Sequence, residues 1–158
     1  MSFALTPAHA QRLEHLRSRY ETPRSLILPL LWMAQTQEGY LSPEALAFVA
    51  HETQLCVADV TSVASFYTMF ALSPQGHHTI EVCGTLSCHL NGASQLIEAL
   101  QKTLGITLGQ TTADGAFTLK KVECMGACHE APVVVIDGVY HARQNVQSLT
   151  TLLEETRS

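Results

Sequence analysis

Apolar residues recur at helical spacing through the first half of the chain. Leu13 and Leu16 open one stripe, Leu26, Ile27, Leu30, Leu31 and Met33 form a second, and Leu46 and Val49 a third. Each stripe is preceded by a hydroxyl residue and a proline: Thr6-Pro7, Thr22-Pro23 and Ser42-Pro43. The hydroxyl can cap the first free N–H groups, and proline suits the first helical position because its N–H would be unpaired there anyway. Such a cap contributes about 1 kcal/mol. Gly39 ends the second helix, and a fourth is predicted from Val57 to Phe66. Few charges interrupt these stripes, so the segment reads as a small helical bundle that also needs a partner surface.

The pattern changes after "LSPQGHH", residues 72–78, which reads as a turn and a boundary. "HTIEVC" is predicted as a strand ending at Cys83, and "GASQLIEALQKTLG" as a helix stopping at Gly105. "ADG" signals a turn before "AFTLKKVEC", a strand ending at Cys124. "PVVVIDGVYHA" reads as a hairpin turning at Asp137-Gly138, and "NVQSLTTLLEETR" as a closing helix. The expected architecture is α+β: a helical domain over residues 1–74, then a thioredoxin-like domain with a small mixed sheet over residues 75–158. No internal repeat or low-complexity segment is present.

Composition narrows the function. The chain has 158 residues, 46% hydrophobic and 15% charged, which suits folded domains rather than disorder. Net charge is −5 with nine Lys plus Arg, so no basic stripe exists to bind nucleic acid. The start, "MSFALTPAHAQRLEHL", lacks the apolar core of a signal peptide, and no run of about 20 apolar residues occurs to span a membrane. A cytoplasmic, reducing setting is expected, where spaced cysteines point to metal or redox chemistry rather than disulfides.

Four of the five cysteines fall in two pairs. Cys83 and Cys88 are spaced C-x4-C, Cys124 and Cys128 C-x3-C, and 35 residues separate the pairs. Each pair starts where a strand is predicted to end, so neighbouring strands would let four thiols share a metal. Tetrahedral zinc accepts such spacing. A [2Fe–2S] cluster also takes four cysteines, and its two irons suit wider loops. Gly84 and Gly126 would let backbone N–H groups approach sulfur, because no side chain blocks them. An all-cysteine [2Fe–2S] site carries a charge of about −2, falling to about −3 on reduction, so such amides would be stabilising.

The other candidates read more plainly. Cys56, in "TQLCVADV", is expected to be a buried structural thiol. His89 and His129 each follow a cysteine and are expected beside the site or at the surface rather than as ligands. His77 and His78 lie in the boundary turn and are expected to be solvated. "FYTMF", residues 66–70, reads mainly as core packing. "GTLSCHLNG" lacks the dinucleotide fingerprint, and no C-x-x-C pair exists for disulfide exchange. No catalytic residue is expected on this chain.

The stretches "VASFYTMF", "VCGTLSC", "NGA" and "DGAFTLKKVECMGACHEAPV" together resemble the thioredoxin-like [2Fe–2S] subunit of NADH:quinone oxidoreductase (respiratory complex I, NuoE type). The resemblance runs from about Leu28 to Val135, and departs at "VYHARQNVQSL" and in the His after each second cysteine. It implies one [2Fe–2S] cluster on Cys83, Cys88, Cys124 and Cys128, exchanging single electrons with FMN. FMN and NADH would be bound by a flavin- and NADH-binding partner (NuoF-like), with further iron–sulfur subunits in the same complex. It also implies a place in the peripheral arm, and a role for "FYTMF" in joining the helical half to the cluster domain or a partner. Related subunits of NAD-linked hydrogenases and formate dehydrogenases are the alternative; a structural zinc-binding assembly module is the alternative of another class.

Overall fold

A computed structural model describes residues 3–157. The chain divides into two compact units, one ending at Pro74 and the other beginning at Gln75.

The first unit is helical: α1 (Pro7–Arg17), α2 (Ile27–Glu38), α3 (Pro43–Thr53) and α4 (Val57–Phe66). Two of the expected caps form as hydrogen bonds. Thr6 Oγ1 accepts from the His9 N–H at 3.4 Å, and Ser42 Oγ accepts from the Ala45 N–H at 3.1 Å. Thr22 does not cap α2. The chain first takes a 3-10 turn over Pro23–Leu26, and the Thr22 hydroxyl pairs with Ser25 Oγ at 3.1 Å. Helix α2 then starts with Pro29 inside its first turn, where the missing N–H has no intrahelical acceptor to lose. Leu26, Leu30, Leu31, Leu41, Val49 and Val60 are the largest fully buried residues of this core.

The second unit holds β1 (His78–Cys83), α5 (Leu86–Leu90), α6 (Ala93–Leu104), β2 (Phe117–Val122), β3 (Val134–Ile136), β4 (Val139–His141) and α7 (Val146–Arg157). The strands form one mixed sheet in the order β2-β1-β3-β4. β1 and β2 are parallel, with Cys83 opposite Val122; β3 runs antiparallel to β1 and β4. The chain returns from β1 to β2 through α5 and α6, since parallel neighbours need a crossover. Leu96 and Leu100 of α6, and Leu149 and Leu153 of α7, bury one face of each helix with Ile80, Val82 and Leu119 of the sheet. Asp137 and Gly138, with φ of 51° and 83°, make the hairpin turn with both central residues left-handed. The expected α+β class with a small mixed sheet is therefore what the chain adopts.

Three expectations about surface and core are corrected. Cys56 is exposed, not buried. It occupies the N-cap of α4, a position that faces solvent, and its thiol donates to Asp59 Oδ2 at 3.1 Å. Of "FYTMF", Phe70 is buried and Tyr67 half-buried, while Phe66 is 77% exposed and Met69 is also exposed. The helix ends at Phe66, so its periodicity no longer sets which residues point inward. His78 is not a solvated turn residue: it begins β1, and its Nδ1 lies 2.6 Å from Asp137 Oδ2.

Candidate metal centre

The parallel register of β1 and β2 positions the thiols. Cys83 is the last residue of β1, and β2 ends at Val122, directly opposite it and two residues before Cys124. The chain beyond β1 turns at once into the short helix α5, which carries Cys88. Cys83 and Cys88 are buried; Cys124 and Cys128 are exposed. The structure thus brings all four sequence-predicted thiols to adjoining loops.

Within those loops the sulfurs interact in pairs. Cys124 Sγ and Cys128 Sγ are 3.5 Å apart. A disulfide would need about 2.05 Å. Two thiolates at corners of one tetrahedral metal, each about 2.3 Å from it, would be roughly 3.8 Å apart. The observed spacing therefore suits metal ligation. The thiols of Cys83 and Cys88 also interact with each other, Cys124 and Cys128 both feel the charge of Cys83, and Cys88 feels that of Cys128. Among the described residues, no three His, Cys, Asp or Glu side chains converge so as to hold one metal ion. Two pairs, each able to serve one iron, are the division a two-iron cluster uses.

Each pair contains one thiol shifted down and one shifted up. Burial pushes the Cys83 pKa up, but hydrogen bonds from the Thr85 hydroxyl and N–H, the Cys88 thiol and the Met125 N–H outweigh it and bring it below the usual thiol range. Burial raises Cys88, and the neighbouring Cys83 adds to that rise against a hydrogen bond from the Val133 backbone. Cys124 is lowered chiefly by the Gly126 N–H, then by Cys128 and Thr85. Cys128 is raised by Cys124, through their hydrogen bond and then through charge. The donors that lower Cys83 and Cys124 favour the thiolate form, the form in which a cysteine binds metal.

The two glycines act differently from each other. Gly126 has φ of 80°, a left-handed conformation, and its N–H points at Cys124 Sγ at 3.5 Å. The Gly84 N–H does not face sulfur: it donates to the Val122 carbonyl at 3.0 Å and extends the sheet ladder. The Lys121 side chain lies across Gly84 where a Cβ would stand, so a side chain there would displace the lysine. His89 is turned to the Ser94 hydroxyl at 3.0 Å, and exposed His129 lies beside Glu130.

Sequence reasoning missed the residues that tie the loops. Thr85 Oγ1 lies 3.3 Å from Cys83 Sγ. Ser87 Oγ donates to the Cys128 carbonyl at 3.0 Å, joining the first loop to the second. The Tyr140 hydroxyl donates to the Met125 carbonyl at 3.2 Å, joining the hairpin to the second loop. Thr85 and Ser87 lie within the C-x4-C segment, so the motif itself pointed to them; nothing in the sequence pointed to Tyr140.

Known proteins match the chain over most of its length. The family described as thioredoxin-like [2Fe–2S] ferredoxin matches the chain over residues 13–157. The chain is 40% identical over 148 residues to an E-type subunit of the NADH-quinone oxidoreductase of Rhizobium meliloti, covering 94% of this chain and 88% of the relative. It is 42% identical over 127 residues to NADH-quinone oxidoreductase subunit 2 of Thermus thermophilus, covering 79% of this chain and 70% of the relative. Among solved structures it is similar to the NAD+-reducing [NiFe]-hydrogenase in the air-oxidised state, with a TM-score of 0.70 and 26% identity. That match covers 81% of this chain but only 22% of the hydrogenase chain.

Proposed function

The chain belongs to the thioredoxin-like [2Fe–2S] ferredoxin family, and from that premise we propose that it is the electron-transfer subunit of an NADH-oxidising complex, with Cys83, Cys88, Cys124 and Cys128 holding its one cluster. The observation that carries the ligand set is the placement of two thiol pairs on adjoining loops, one pair with its sulfurs 3.5 Å apart. When bound, the cluster supplies a one-electron store, which suits a neighbour of a flavin that takes hydride pairs from NADH. The chain's own residues provide thiolates and direct N–H and hydroxyl donors at them. Zinc assembly gives way to this reading because the matching family is one of [2Fe–2S] proteins.

The partner that fits is the flavin- and NADH-binding subunit, which would supply the FMN and NADH sites this chain lacks. Further iron–sulfur subunits would complete the complex, in the peripheral arm of a membrane assembly. No helix among the described residues is long and apolar enough to cross a membrane. Docking at the cluster loops is supported by Leu86 and Leu90 of α5, 73% and 74% exposed on either side of Cys88, with Val139 and Tyr140 exposed on the hairpin. A subunit of an NAD-linked hydrogenase is the second reading, favoured by the TM-score of 0.70. The quinone oxidoreductase reading ranks first because its relatives are matched at higher identity over most of their own length.

Reconstitution tests this. In complex with the flavin subunit, NADH should produce the rhombic EPR signal of a reduced [2Fe–2S] cluster. The chain alone should be reducible by dithionite and should not oxidise NADH. NADH oxidation by the isolated chain, or a complex whose cluster NADH leaves oxidised, would overturn the proposal.

A further inference from the structure

The helical unit contains a cavity of about 470 Å³ between α1 and α2. Helix α1 contributes His9, Arg12 and Leu16, at i, i+3 and i+7 on one face, and Tyr20 follows beyond its end. Helix α2 contributes Trp32 and Met33 to the facing wall. The stripe from His9 to Leu16 runs about 10 Å along the helix. Leu16 and Met33 supply apolar surface, while Tyr20 and Trp32 are 41% and 46% exposed at the walls.

Among the described residues, one charged group lining this cavity lacks an ion-pair partner: no carboxylate pairs with Arg12, while Glu14 and Glu52 both pair with Arg17. The cavity lining includes Arg12 and His9 but no Asp or Glu, in a chain whose net charge is −5. Trp, Tyr and Arg are also the residue types that dominate binding energy at protein interfaces.

We infer that this cavity is a docking site for a segment of another subunit, one that inserts large apolar side chains between Tyr20 and Trp32 and sets a carboxylate against Arg12. A volume of this size takes several apolar groups, and two facing helices form the groove that receives an amphipathic segment. The site is built wholly from residues of the helical unit. It rests on the reading that the chain is a subunit of a larger complex.

The test uses the assembled complex. Arg12→Glu and Trp32→Ala should each weaken association of the chain with the remaining subunits by about tenfold or more, and Arg12→Lys should retain most of it. Arg24→Glu, outside the cavity, should have no effect. All four variants should keep the iron and sulfide content of the unmodified chain; the two Arg12 variants and Arg24→Glu should also keep its thermal midpoint, whereas Trp32→Ala should lower it modestly by removing the ring contact with Phe70. A photo-crosslinking residue at position 32 should join a segment of another subunit in which an Asp or Glu lies within one helical turn of a large apolar residue. Unchanged association in both Arg12→Glu and Trp32→Ala, or crosslinks confined to this chain, would overturn the inference while leaving the subunit reading intact. If the unmodified chain joins no complex, both fall together.

Discussion

Replacing Gly126 with alanine separates backbone strain from the interaction with sulfur. Gly126 has φ of 80°, and a Cβ there would meet no atom within 4 Å. Crowding therefore contributes nothing, contrary to what its place between two cysteines suggests. What remains is the cost of a left-handed L-residue, roughly 1–2 kcal/mol. Relieving that strain rotates the peptide and draws its N–H from Cys124 Sγ, now 3.5 Å away. Gly109 is a matched control. Its φ is 82°, it too has nothing within 4 Å of a Cβ, and its N–H donates to the Leu119 carbonyl at 2.7 Å. Gly126→Ala and Gly109→Ala should both lose roughly 1–2 kcal/mol of stability, and only the first should alter the cluster.

The size of that alteration follows from charge. A hydrogen bond to an ionised group is worth about 1.5–3 kcal/mol, and only the part that grows as the site goes from about −2 to about −3 changes the potential. If about 1 kcal/mol of it belongs to the reduced state alone, its loss lowers the midpoint by roughly 40 mV, since a one-electron couple moves about 59 mV per tenfold change. A redox titration followed by EPR, with urea denaturation of both variants, reads the two effects separately. Equal potentials in Gly126→Ala and Gly109→Ala, with full iron and sulfide in each, would refute the reasoning.

Alanine at Cys83, Cys88, Cys124 or Cys128 should remove most iron and acid-labile sulfide, whereas Cys56→Ser should leave both intact; equal loss in the Cys56 variant would show the ligand set to be wrong. Gly76→Ala should lower stability by about 1–3 kcal/mol, because the new Cβ would stand 2.8 Å from the Phe117 carbonyl carbon, which is backbone and cannot yield; an unchanged urea midpoint counts against this. The Asp114 carboxyl is held down to about 2 by the Thr112 hydroxyl, the Ala116 N–H and Arg157. A lowered folded-state pKa stabilises above the ordinary Asp value of about 3.9 and loses that contribution as pH falls towards about 2. Asp114→Asn should therefore narrow its stability gap to the unmodified chain over that window, and a gap constant with pH would contradict the assignment.

Features set by a few adjacent residues were legible in the sequence. The caps at Thr6 and Ser42, the left-handed glycines ending α2 and α6, and the Asp137-Gly138 turn each express a local backbone requirement. The coincidence of strand ends with cysteine pairs was legible too, because period-two alternation stops at Cys83 and just before Cys124. Features that depend on which surface a residue meets were not. Cys56 looked like a small core residue until its N-cap position turned it outward. Phe66 and Met69 looked like core because they are apolar, yet Phe66 is the last residue of α4 and Met69 lies beyond it, and both are exposed. His78 found Asp137 across 59 residues of chain, a pairing no local pattern encodes. The Gly84 N–H went to the sheet because β2 stood beside it, a fact of register rather than composition.

The loops share a logic that is electrostatic rather than steric. A site that must hold thiolates, and then one more negative charge, is weakened by any carbonyl left pointing into it. Here five carbonyls of these loops and their neighbours are engaged elsewhere. Cys128 O accepts from Ser87, Met125 O from Tyr140, Ala127 O from the Glu130 N–H, Val122 O from Gly84 and Val133 O from Cys83. The donors face the other way: the Gly126 N–H reaches Cys124, and the Thr85 hydroxyl and the Thr85 and Met125 N–H groups reach Cys83. Drawing acceptors into loop-to-loop ties while turning donors towards sulfur gives a net positive lining from neutral groups. That lining uses hydrogen bonds that also fix the two loops against each other. The same ties that order the loops thus set the sign of the field the thiolates feel.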